Sequence, residues 1–205
     1  MLIRGPGHSE PSVMGALRSA TSSRHARLAS SPAMARLFAP DYTLSEYRAH
    51  LGRMLGLFEP LERAAAHAAG ASQSLSTLQR SKDLLDDLST MGLSADEIDA
   101  FERCPYVPTL PTAGMPGYFY VTLGSMLGGE IIVKRLRSVF SDEASYRFYG
   151  GREPQSYESQ WTSFCSDVEE RGKEDAQMIC ATAVRVFDVY SAWLSKPLHR
   201  TGGPC

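Results

Sequence analysis

The sequence predicts an all-α protein folded as a single multi-helix domain, and three observations carry that expectation. Apolar residues recur at three- and four-residue steps along nearly the whole chain. Alternating runs of β-branched residues, the mark of half-buried strands, are almost missing. With 205 residues, the chain is long enough for one core and short for two. Hydrophobic residues at 43% and charged residues at 21% give a globular balance that excludes disordered and fibrous classes.

The elements follow in order. Residues 13–29 form a first helix, closed before Ser30, Ser31 and Pro32 because a residue preceding proline is pushed out of the helical region. A loop is expected through Pro40. Thr43 with Glu46 three residues on is a capping-box pattern, and Leu51, Leu55, Phe58, Leu61 and Ala65 continue it as a long second helix ending near Gly70. Leu78, Leu84, Leu85 and Leu88 place a third helix over 75–90, stopped at Gly92, and Ser94 with Glu97 opens a short fourth. Pro105, Pro108, Pro111 and Pro116 mark an irregular segment. Helical spacing then resumes over 117–140 as one expected helix despite three internal glycines, Gly124, Gly128 and Gly129. The last helices cover 156–170, with Trp161 and Phe164, and 173–194, with Ile179, Val186, Phe187, Tyr190 and Trp193 on one face. The domain is expected over 11–196, with flexible ends at 1–10 and 197–205.

Charge and composition narrow the function. A net charge of −2 argues against a nucleic-acid binder, whose domain is normally basic. The longest mostly apolar stretch, 121–133, is shorter than the ~20 residues of a membrane span and contains Ser125 and Glu130, so no membrane partner is expected. The arginine-bearing first 30 residues lack the apolar core of a secretory signal, which makes the cytoplasm the expected location. Cys104, Cys165, Cys180 and Cys205 show no CxxC spacing, so they read as reduced thiols rather than a zinc ribbon. No exposed heptad seam is visible, and a monomer is expected. Between Pro11 and Pro40 stand Arg18, Arg24, Arg27 and Arg36 with no acidic residue, a cationic segment suited to an anionic partner.

Zinc-protease, dinucleotide, P-loop and serine-hydrolase signatures are all absent from the sequence. None of His8, His25, His50, His67 and His199 pairs with another at helical spacing, so at most single histidines act. His25 lies seven residues after Arg18, two turns or about 10.5 Å along the same face of the first helix. By itself that spacing also fits a half-buried histidine beside surface arginines. Each glycine inside a helix costs about 1 kcal/mol relative to alanine, so three within six residues need a reason beyond propensity. Gly124 and Gly128 share a face, where bare backbone can lie against a partner helix or a planar ligand.

Residues 17–25 (LRSATSSRH) and 120–129 (YVTLGSMLGG) together resemble the heme oxygenases, in the right order and about 100 residues apart. The first resembles the proximal helix of that family, where the histidine ligates heme iron and the basic residue seven earlier meets a propionate. The second is similar to the distal helix, whose glycines let backbone run across the other heme face. Helix order and residues 58–62 (FEPLE) also agree with the bacterial, biliverdin-producing members of the type associated with bacteriophytochromes, and the likeness covers 13–194. It implies a bundle holding heme between proximal and distal helices, with His25 as axial iron ligand. Arg18 and Tyr120 would anchor propionates, and Gly124, Ser125, Gly128 and Gly129 would face the reacting oxygen.

The implied reaction cleaves heme, at once cofactor and substrate, with O2 to biliverdin, CO and ferrous iron, with the alpha isomer expected. Electrons would come from a separate ferredoxin or reductase, since the chain carries no flavin or nicotinamide motif. A bilin-binding photoreceptor is a candidate recipient of the product. Two departures stand out: Ser125 occupies the place where some members have an aspartate, and Ala29 the place where many have a glutamate. Arg147, Arg152, Arg171 and Arg185 are unassigned candidates for further propionate contacts. The alternatives are a heme-binding carrier or sensor on the same scaffold, and a helical interaction protein in which the glycines serve packing.

Overall fold

Ser12 opens the first helix by accepting a hydrogen bond on its side chain from the Gly15 amide at 3.0 Å. The computed structural model of the chain describes residues 12–69, 80–150 and 154–196. The terminal segments expected to be flexible lie outside these, as do Leu75, Leu78 and Arg152. The helix Ser12 begins is α1 (Val13–Ala29). Its first-turn amides have no partner within the helix; Glu169 supplies one, accepting from Val13 and Met14 at 3.1 and 2.9 Å and from the Ser12 hydroxyl. A carboxylate also suits the positive end of the helix dipole.

Where a loop was expected, Ser31 caps a one-turn helix, α2 (Pro32–Arg36), and Pro32 fits its first position because no amide is needed there. The capping box at Thr43 and Glu46 forms as expected and starts α3 (Leu44–Ala69). Pro60 lies inside α3 and cannot donate to the carbonyl of Gly56; the Cys104 amide takes that place at 2.8 Å. α4 (Arg80–Thr90) and α5 (Ala95–Asp99) follow, the latter with the Ser94 and Glu97 capping box. Between the two, Gly92 takes the positive φ of 88° that a helix terminator requires.

The single helix expected over 117–140 is two helices, α6 (Met115–Leu127) and α7 (Gly129–Phe140), interrupted at Gly128. Apolar spacing runs on through the break, so periodicity alone does not reveal it. α8 (Arg147–Gly150), α9 (Pro154–Arg171) and α10 (Ala176–Ser195) complete the order, and the described residues contain no strand.

α10 is the spine. It packs along α1 on one side and α6 on another, while α3 packs on α4, α9 on α6, and α8 on both α4 and α7. The core joins Leu17 of α1, Leu51, Met54 and Phe58 of α3, Tyr118 of α6, and Ile179, Val186 and Tyr190 of α10. The Trp193 indole ties α10 to α3 by donating to the Arg53 carbonyl at 2.8 Å.

The α6–α10 contact is backbone on backbone: a Cβ at Gly117 would sit 2.1 Å from the Ile179 carbonyl oxygen. Gly117→Ala is therefore expected to destabilise the protein by about 2–3 kcal/mol in urea unfolding, since backbone cannot step aside as a flexible side chain would.

Candidate functional site

The space between α1, α6, α7 and α10 is a cavity of about 720 Å³, within the roughly 300–1,000 Å³ range of pockets that hold one organic ligand. α1 contributes Arg18, Thr21, Ser22 and His25; α6, the break and α7 contribute Tyr120, Gly124, Ser125, Gly128 and Ile132. Phe148, Tyr149, Phe187 and Tyr190 close the inner end, Trp161 of α9 covers one side, and exposed Phe38, Leu127 and Ile131 rim the mouth.

The glycines divide by what a side chain would meet. At Gly124 a Cβ would touch only the Trp161 ring, at 3.7 Å, and at Gly128 nothing closer than 4.0 Å. Neither is needed for packing, so both leave bare backbone at the cavity. Gly129 is different and corrects the expectation that grouped it with the others: it is outside the lining, its backbone pressed on Tyr149, where a Cβ would fall 2.0 Å from the carbonyl oxygen. The alternatives the sequence left open thus fall at different glycines: close packing at Gly129, and open space beside bare backbone at Gly124 and Gly128.

Ser125 lines the cavity, but its hydroxyl proton is used within α6, donated to the Thr122 carbonyl at 2.7 Å. Toward the cavity it can only accept. Tyr120 lies with its hydroxyl 3.5 Å from the Thr21 hydroxyl of α1 and its ring 5.7 Å from that of Trp161.

The cationic segment resolves into three paired arginines and one available. Arg24 and Arg27 meet Asp188 of α10, and Arg36 bridges Asp41 and Glu46. Arg18, exposed at the cavity, has no ion pair among the described residues. His25 is also exposed at the cavity and stands edge-on to Phe187, with ring centroids 6.1 Å apart. Arg147 pairs with Asp86, and Arg147, Arg171 and Arg185 are all outside the lining.

Sequence reasoning missed the inner end. Arg80 is 2% exposed, its guanidinium 4.2 Å over the Phe148 ring and donating to the Phe148 carbonyl. Behind Tyr149 lies His50, joined to the Tyr149 hydroxyl at 2.5 Å. Burial pushes His50 down to about 4 and pushes the Tyr149 and Tyr190 phenols up. Nothing local in the sequence signals these residues, because their meeting depends on α3, α8 and α10 converging.

Among the described residues no three His, Cys, Asp or Glu side chains gather into a metal cage. A single exposed imidazole suits an iron whose other ligands arrive with its macrocycle. The apolar cavity and the exposed Arg18 guanidinium beside it suit a flat hydrophobic ligand bearing carboxylates. The heme oxygenase family model matches residues 12–196.

This chain belongs to the heme oxygenase family. The structure of heme oxygenase from Leptospira interrogans superposes with a TM-score of 0.65 at 20% identity, covering 90% of this chain and 99% of that one. That of heme oxygenase-1 from the cyanobacterium Synechocystis sp. PCC6803, in complex with heme, gives 0.65 at 16% identity over 90% and 91%. At such identities the likeness shows the heme oxygenase fold. No curated protein matches the chain by sequence. No helix among the described residues is long and apolar enough to cross a membrane.

His50 gives this heme oxygenase a pH signature. The unfolded chain takes up a proton near 6.5, while the folded chain resists until about 4. The associated stability is therefore complete above pH 6.5 and lost as pH falls toward 4, by up to about 3 kcal/mol. Urea midpoints measured across that window are expected to fall less steeply in His50→Gln than in the parent protein.

Proposed function

We propose that the cavity seats heme with its iron on His25, and that the chain is a heme oxygenase opening the ring to biliverdin, CO and ferrous iron. The observation that carries this is the juxtaposition of exposed His25 and of Arg18, which has no ion pair among the described residues, on α1 with the side-chain-free backbone of Gly124 and Gly128, all lining one cavity.

Heme supplies the iron that binds and activates O2; the rest is the work of the chain. His25 would donate a neutral nitrogen to the iron, held in orientation by Phe187. Arg18 and Tyr120 would bind propionates, the guanidinium by a charge-assisted pair and the phenol as a donor. Backbone at Gly124 and Gly128 would approach the ring closely enough to crowd what binds on that face, steering attack toward one ring edge. Ser125, with its proton committed to Thr122, would accept from a water there, a weaker hold than a carboxylate gives. Trp161, Phe148 and Phe187 would shield the ring from bulk water.

We take the working domain to be 11–196. Electrons would come from a ferredoxin or reductase. A monomer in the cytoplasm, handing an alpha biliverdin to a bilin-binding photoreceptor, completes the reading.

One equivalent of hemin should produce a Soret band, and a reductant in air should then replace it with the broad red absorption of biliverdin, unaffected by catalase. A Soret band that persists would point to a carrier or sensor, and no band at all would remove the heme reading. His25→Ala is expected to lose the axial-ligand spectrum and turnover. Arg18→Ala should weaken hemin binding by about 10- to 100-fold, the worth of a hydrogen bond to a charged group. Gly128→Leu should block hemin by filling the space beside the ring, and unchanged affinity there would mean that the ring does not lie against that backbone.

A further inference from the structure

The short α8 turn is tethered by buried polar groups from two helices. Asp87 of α4, fully buried, accepts from the amides of Arg147 and Phe148 at 2.8 and 2.9 Å and from the Ser145 hydroxyl at 2.5 Å. Tyr47 of α3 donates to the Ser145 carbonyl at 3.1 Å. His50 of α3 holds the Tyr149 hydroxyl at 2.5 Å, with the two rings stacked at a centroid distance of 6.0 Å.

What leans on this turn is the start of α7. Gly129 presses on the Tyr149 carbonyl, and a Cβ there would fall more than 1 Å inside the 3.4 Å at which ordinary contact begins. One turn on, Val133 meets Gly150, where a Cβ would stand 3.3 Å from it. The neighbouring Gly128 and Ile132 line the cavity. Bare backbone has no rotamer with which to adjust, so its height over a ligand is set by what the helix rests upon.

We propose that Tyr149 and His50 are positioning residues for the heme-cleaving reaction: through Gly129 they set where the α6–α7 break stands over the ring, and so which meso carbon is attacked. His50 is outside the cavity lining and acts only through Tyr149. The inference rests on the heme oxygenase reading. A displacement of about 1 Å at a reacting centre can change rates by up to about 10²-fold, enough to let a second ring edge compete.

The test compares Tyr149→Phe, His50→Leu and His50→Gln with the parent protein. Amide hydrogen exchange over α7 is read without hemin, and the biliverdin isomers are separated after turnover of the hemin complex. His50→Leu is expected to bind hemin normally, and both it and Tyr149→Phe, whose ring lines the cavity, are expected to speed exchange in the first two turns of α7 by up to about tenfold, as loss of one buried hydrogen bond allows, and to release a second isomer. His50→Gln, which keeps a partner for the phenol, should restore both readouts. Faster exchange with an unchanged isomer pattern would make the contact merely structural and overturn the proposal; unchanged exchange would overturn it as well. A parent protein that binds hemin but yields no biliverdin would instead refute the oxygenase reading, and the exchange rates would still decide whether the strut restrains α7.

Discussion

The fold turns on the packing of α10 against both α1 and α6, the two helices that face each other across the cavity. At ~24 cal/mol per Å³, a dry void of 720 Å³ would cost roughly 17 kcal/mol, more than the roughly 5–15 kcal/mol stability of a whole domain. The space therefore cannot be an empty core defect. It is an open site with exposed Phe38, Leu127 and Ile131 at its mouth, and a ligand occupying it would stabilise the folded state by mass action.

Holding the cavity open determines which residues remain chemically available. α1 buries only Val13, Met14, Leu17 and Thr21, so its other face is left to Arg18, Ser22 and His25. Asp188, Asp41 and Glu46 occupy the nearby arginines, and Arg18 alone of that segment keeps its charge unspent among the described residues. Surface pairs of this kind contribute little stability; their larger effect here is to localise the available positive charge at the cavity.

Much of this was legible in local sequence. The bounds of α1 and the capping boxes of α3 and α5 follow from side chains that act on neighbours three residues away, and the all-α domain follows from periodicity. The proximal and distal segments, read together, pointed to the family. The three glycines left a kink open as one explanation, but apolar spacing continues across Gly128 and so did not show that the helix breaks there. Gly129 could not be told from Gly124, since what separates them is the Tyr149 carbonyl, some 20 positions away in the chain. Arg80 and His50 were missed for the same reason: each is an ordinary helical residue until α8 folds against it.

Whether heme sits between α1 and the α6–α7 break with its iron on His25 is decided by a crystal structure of the hemin complex. Iron is expected within bonding distance of the His25 imidazole, with the ring against the backbone of Gly124 and Gly128 and a propionate at Arg18. Iron bound to another side chain, or a ring resting elsewhere on the protein, would contradict that placement.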